Sequence, residues 1–172
     1  MIRGALAGHE QDFEALVERH QRALFAFVCR YLGDEAAADE VVQASFVQAY
    51  MHLARFRGDA SFKTWLHQIA LNQCRALHRA GQRRREVPLD DVEESGLAAP
   101  EDRTEMGGWR ARLETLVARL PPRQRAVVAL RLFGDLPFRE VARAEGISEN
   151  TAKVNYHHAI KRLRKWLSGE DS

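Results

Sequence analysis

The chain has 172 residues, enough for one medium helical domain or two small ones, and its 26 Lys and Arg against 24 Asp and Glu leave a formal charge of +2. The longest apolar run, residues 24–29, is far too short to span a bilayer, and no N-terminal signal segment is evident, so a soluble, cytoplasmic protein without membrane insertion is expected. Cys29 and Cys74 stand far apart in no metal-like or redox pair and read as free thiols in a reducing compartment.

In chain order, Phe13, Leu16, Val17, Leu24, Phe27, Val28, Tyr31 and Leu32 recur at helical intervals and predict a first helix ending at Gly33. Asp34 can cap a second helix carrying Val41, Val42, Phe46, Ala49, Tyr50 and Leu53. A loop at residues 56–61 precedes a third helix from Phe62 to about Arg79, with Ser61 as its cap. Phe62, Trp65, Leu66, Ile69, Ala76 and Leu77 form the stripe expected to be buried, and the helical wheel turns Leu71 to the exposed side.

Between residues 82 and 108 the periodicity stops. Pro88, Gly96, Pro100, Gly107 and Gly108 interrupt it, and residues 86–105 carry eight acidic side chains against Arg103 alone, the composition of a mobile acidic linker. The linker separates two basic clusters: Arg75, Arg79, Arg83, Arg84 and Arg85 before it, and Lys161, Arg162, Arg164 and Lys165 near the end. Helical spacing resumes at Trp109 with Leu113, Leu116, Val117 and Leu120, breaks at Pro121 and Pro122, and continues over residues 123–133.

The last segment, LPFREVARAEGISENTAKVNYHHAIKRLRKW (residues 136–166), reads as a helix-turn-helix. A short helix over residues 138–145 ends at Gly146, Ile147 plugs the corner, and Ser148 caps the next helix. On that helix Ala152, Tyr156, Ala159, Ile160, Leu163 and Leu167 form the inner stripe. The opposite face carries Asn150, Val154, His157, His158, Lys161 and Lys165, with Lys153 beside it. A polar, basic helix at the outside of a two-helix corner fits the DNA major groove, which makes DNA the expected partner. His157 and His158 point about 100° apart on the helix, with no cysteine or carboxylate set to complete a site, so no metal is expected, and no cofactor either.

The segments ADEVVQASFVQAY (residues 38–50), FRGDASFKTWLHQIALN (residues 56–72) and LPPRQRAVVALRLFGDLPFREVARAEGIS (residues 120–148) stand in order. Together they resemble the extracytoplasmic-function group of the sigma-70 family, over nearly the whole chain. The resemblance implies an all-α fold of two small helical domains joined by a flexible acidic linker, the second ending in the helix-turn-helix. Residues 9–85 would be sigma region 2, residues 86–108 the linker and residues 109–168 sigma region 4. The implied function is that of an RNA polymerase sigma factor, which binds core polymerase, directs it to the −10 and −35 promoter elements, and is held in check by an anti-sigma protein.

The resemblance also assigns roles. Core polymerase would be met at the clamp helices of its largest subunit by the helix holding Asp39, Glu40, Val42, Gln43 and Phe46, its polar residues outward and Phe46 and Val41 anchoring it from behind. The second domain would meet the flap. Ala44 departs from the glutamate frequent at its position. Ser61, Lys63 and Asn72 would engage and melt the −10 element, where an unstacked base needs a pocket, while Arg75 and Arg79 follow the phosphates just upstream. Phe62 and Trp65 are expected in the core rather than stacked on a base. Lys153, Val154, His157 and His158 are the candidates to read −35 bases, with Asn150 and Lys161 nearer the phosphates. Val154 stands where the family commonly has serine and could pack on a thymine methyl; Asn155 replaces a frequent arginine. Asp90, Asp91, Glu93 and Glu94 of the linker could mimic nucleic-acid charge inside polymerase.

The alternative reading is a polymerase-independent helix-turn-helix regulator, which predicts a ligand pocket or a dimer seam; neither is evident. An enzyme is not expected, since no phosphate loop, paired catalytic carboxylates or nucleophile arrangement appears.

Overall fold

The computed structural model describes residues 2–85 and 105–168, and among these it is helical with no strand. The expected linker falls almost wholly outside the described residues, with its four proposed mimic acids.

A short helix that apolar spacing does not announce, α1 (Ile2–Leu6), buries Ala5 against the start of the next one. Helix α2 (Glu10–Leu32) buries Leu16, Leu24, Phe27, Val28 and Tyr31 along one stripe and ends at Gly33. Asp34 caps α3 (Glu35–Met51), its Oδ1 accepting the Ala37 N–H at 3.1 Å. A 3-10 turn (Leu53–Arg55) leads into the loop before α4 (Phe62–Arg85), which is capped by Ser61, whose Oγ accepts the Thr64 N–H at 3.1 Å. Helices α2, α3 and α4 pack pairwise into one unit. Helix α4 runs past the expected Arg79, because Gln and Arg are good helix formers and no proline intervenes before Pro88.

In the C-terminal block α5 (Glu105–Ala118) starts one turn before Trp109. After Pro121, α6 (Pro122–Val128) widens into a π-helical turn (Ala129–Phe133). Then come α7 (Phe138–Glu145) and α8 (Glu149–Ser168). Leu116, Val117, Leu120, Val128, Ala159 and Leu163 make a core of their own under α5 and α8.

The two blocks also pack on each other. One continuous apolar cluster joins Leu24, Phe27, Leu66 and Leu71 to Val127, Leu130, Leu136 and Val141. Arginines staple its edges: Arg125 lies 4.2 Å over the Tyr31 ring and donates to the Tyr31 carbonyl, and Arg30 sits 5.8 Å over the Phe133 ring. Gly134 lies against α4, where an added Cβ would come 3.1 Å from the His67 ring and 2.8 Å from the Leu130 carbonyl oxygen.

This packing corrects the wheel at Leu71, which is fully buried instead of exposed. Leu71 is one turn from both His67 and Arg75, and both of those touch the C-terminal block, so its face of α4 is covered. Ala76 and Leu77, expected inside, are exposed, whereas Cys74 is buried and His78 packs on Tyr31 of α2, so another side of α4 is the covered one there. Tyr50 and Leu167, at the far ends of α3 and α8, are likewise exposed.

Candidate nucleic-acid interface

Gly146 makes the corner of the helix-turn-helix at φ +64°, a left-handed conformation in which a Cβ is strained. Its N–H closes the last turn of α7, and the Ile147 N–H returns to the Ala142 carbonyl at 3.0 Å. Ser148 caps α8, with its Oγ accepting from the Thr151 N–H at 3.0 Å. Ala152, Ala159 and Leu163 are buried and fix the rotation of α8. Asn150, Lys153, Val154, His157, His158 and Lys161 consequently all lie on the exposed side, Val154 at 44 %.

Two neighbours shape that face. Glu149 pairs with Lys153 at 2.7 Å across one helical turn, in an exposed position where such a pair is weak and easily exchanged for a phosphate. Asn155 turns its amide back onto the Thr151 carbonyl at 2.9 Å and so is drawn off the outer face. Phe138, Tyr156 and Ile160, with Lys153, His157, Lys161 and Arg164, line an open groove of about 670 Å³ along the flank of α8.

In the N-terminal block, the Ser61 hydroxyl is occupied as the cap of α4 and is 2.9 Å from the Thr64 hydroxyl. Lys63 is half-buried, its Nζ donating to the Asp135 carbonyl at 3.4 Å. Asn72 and Arg79 are exposed. Arg75 is half-buried, its Nη2 donating to both carboxylate oxygens of Glu145 at 2.9 and 2.8 Å. Phe62 is buried and Trp65 half-buried, in an aromatic group with Phe56, as expected of core side chains. A cavity of about 300 Å³ opens beside the loop, lined by Arg55, Phe56, Arg57, Asp59, Trp65 and Gln68 among others, and by Arg143 and Ala144 of α7.

On α3, Asp39, Glu40 and Gln43 are exposed along one edge. Val42 and Phe46 are buried: they share the inner face with Ala38, Val41 and Ala49, with Phe46 and Val41 behind the helix as expected. Sequence reasoning missed the other end of the outer edge. Val47, Tyr50 and Met51 follow Glu40 and Gln43 at helical spacing and are 56 %, 53 % and 67 % exposed. The signal was present, since α3 is apolar on nearly every side, which a helix buried on only one face does not need.

Burial raises the Cys29 thiol to about 11 and the Cys74 thiol to about 12, so neither is a ready nucleophile. Among the described residues no group of three His, Cys, Asp or Glu could hold a metal ion, and no helix is long and apolar enough to cross a membrane.

Comparison with known proteins agrees with this layout. Residues 16–85 match the family model for sigma-70 region 2, and residues 110–163 match that for sigma-70 region 4. The chain is 30 % identical over 164 residues to the RNA polymerase sigma-E factor of Streptomyces coelicolor, covering 95 % of this chain and 90 % of that one. It is 33 % identical over 145 residues to the ECF RNA polymerase sigma-E factor of Salmonella typhimurium, covering 78 % and 75 %. Its fold resembles that of CnrH, solved in complex with the cytosolic domain of CnrY, with a TM-score of 0.74 and 26 % identity over 99 % of this chain and 96 % of the other. With two sigma-70 regions in order on an all-helical fold, the chain belongs to the extracytoplasmic-function group of the sigma-70 family of RNA polymerase sigma factors.

Proposed function

We propose that this chain takes core RNA polymerase to a set of promoters, its C-terminal block reading the −35 element and its N-terminal block engaging and opening the −10 element. The observation that carries the reading is the outer face of α8, where six candidate DNA contacts are exposed together on a helix whose rotation is fixed by its buried side. Lys153, Val154, His157 and His158 reach base edges in the major groove, and Asn150 and Lys161 hold phosphates. Ser61, Lys63 and Asn72 serve the −10 element, and Arg75 and Arg79 follow the adjoining backbone.

Polymerase is engaged through α3. Asp39, Glu40 and Gln43 form the polar edge of a surface for the clamp helices, and Val42 and Phe46 keep that edge in position from within. The exposed Val47, Tyr50 and Met51 supply apolar area of the kind found at the centre of protein interfaces. The flap is the second contact, made by the C-terminal block. CnrH is seen bound to a second protein; an anti-sigma partner is the corresponding control here, acting in the cytoplasm.

Transcription of fragmented genomic DNA by core polymerase, with and without the chain, tests this. New 5′ ends that depend on the chain and share two spaced upstream elements are expected. Duplex binding without any binding to core would instead favour a polymerase-independent regulator.

A further inference from the structure

Helix α8 carries a single acid, Glu149, on a helix whose other charged residues are Lys153, Lys161, Arg162, Arg164 and Lys165. It is the first residue after the Ser148 cap, so the corner between α7 and α8 fixes where it stands. The N-terminal residues of a recognition helix are the ones that come closest to base edges. The Glu149 side chain is 47 % exposed, with Lys153 Nζ 2.7 Å from its Oε1, and Asn150 and Val154 are exposed as well.

A carboxylate does not suit a surface that only neutralises phosphates, because the DNA backbone repels it. In the major groove its partners are base amines, N4 of cytosine or N6 of adenine. Lys153 decides between the two. Carboxylate and ammonium together present an acceptor next to a donor. The major-groove edge of a C·G pair runs from the N4 donor to the O6 and N7 acceptors. Its N4 and O6 atoms are hydrogen-bonded to each other at about 2.9 Å, a spacing close to that of the Glu149–Lys153 pair. On an A·T pair the adenine N7 acceptor lies beside N6 and opposes the carboxylate. The thymine methyl there takes the place of a second acceptor for the ammonium.

We infer that Glu149 and Lys153 act as one specificity-determining unit that reads a C·G pair in the upstream promoter element. Glu149 accepts from cytosine N4, and Lys153 donates to guanine O6 and N7. This rests on the assignment of α8 to the −35 element. The ion pair need not break on binding, since each partner keeps the other while it meets its base. A first-turn acid also suits the helix dipole, and a Glu–Lys pair one turn apart supports the helix. Neither of those effects produces a base preference.

The test uses holoenzyme assembled from core polymerase and the full chain, on one promoter mapped as above with its upstream element randomised. Sequencing the transcripts against the pool reads the preference at each position. Wild type is expected to favour C·G at one position by roughly tenfold. Glu149→Gln is expected to lower cytosine and raise adenine there, because a glutamine amide matches adenine N6 and N7. Glu149→Ala and Lys153→Ala are both expected to relax that same position, and Val154→Ser to alter a different one. A change of preferred base, unlike a loss of yield, cannot arise from misfolding.

Glu149 variants that change yield evenly across the pool overturn the inference, and so does Glu149→Gln with its cytosine preference intact. Effects of Glu149→Ala and Lys153→Ala at separate positions also overturn it. If Val154→Ser shifts a position and Glu149→Ala shifts none, α8 still reads the element and only the Glu149 unit falls. If no α8 variant shifts any position, the −35 assignment of α8 falls and takes the unit with it.

Discussion

His67 is a titratable side chain held where water cannot reach it. Its Nδ1–H donates to the Lys63 carbonyl at 2.8 Å, its ring lies 4.8 Å from that of Phe27, and its residue is 1 % exposed. Burial lowers its pKa to about 4, with the Lys63 and His20 charges adding to the effect against the opposing hydrogen bond. The unfolded chain titrates at the ordinary 6.5. Above that pH both forms are neutral and nothing is lost. As pH falls from 6.5 toward 4 the unfolded chain takes a proton that the folded one refuses, so stability falls by up to roughly 3 kcal/mol. Urea unfolding at a series of pH values should show that fall, and His67→Leu should flatten it in part, because burial also lowers His20 and His78. Val154 is the opposite kind of residue, exposed and unconstrained. Val154→Ser should leave stability within about 0.5 kcal/mol while changing the preferred base at one position, as read by selection from a randomised duplex pool. Nothing in the apolar spacing marked His67 as buried, whereas the outward position of Val154 was legible from the wheel.

Elements were most legible where their signals are local. The end of α7 at Gly146, the cap at Ser148 and the inner stripe of α8 all lie within a few residues of what they determine, and the sequence reading holds there. Ser148→Ala removes the acceptor of the Thr151 N–H and should cost about 1 kcal/mol, seen as a lower thermal midpoint with the helix-turn-helix still formed. Lys161→Ala should weaken duplex binding evenly across sequences and reduce the slope of log K against log salt by about one. Anisotropy titrations at several salt concentrations read that slope. Helix α3 was harder to read because it is apolar nearly all round. Spacing could not say which apolar residues face Ala38 and Ala49 inside and which, like Tyr50 and Met51, face outward. Helix α1 escaped notice since five residues are too few to display a period.

At the scale of the molecule, the contact between the two blocks was invisible in the sequence. It joins residues about 70 to 94 positions apart, such as Arg75 with Glu145 and Tyr31 with Arg125, and periodicity reports only on near neighbours. Leu71 records that contact most directly. Buried between blocks, Leu71→Ala should cost about 2–5 kcal/mol, measured by chemical denaturation of the full chain. Gly134 carries a consequence of a different kind, a genetic one. Its backbone, at φ −81°, suits any residue, yet a single methyl would press on the Leu130 carbonyl and on His67 at once. A scan of every codon, read by the yield of folded chain, should therefore find codon 134 among the least tolerant, a site far from the outer face of α8 whose smallest mutational step already wedges the blocks apart.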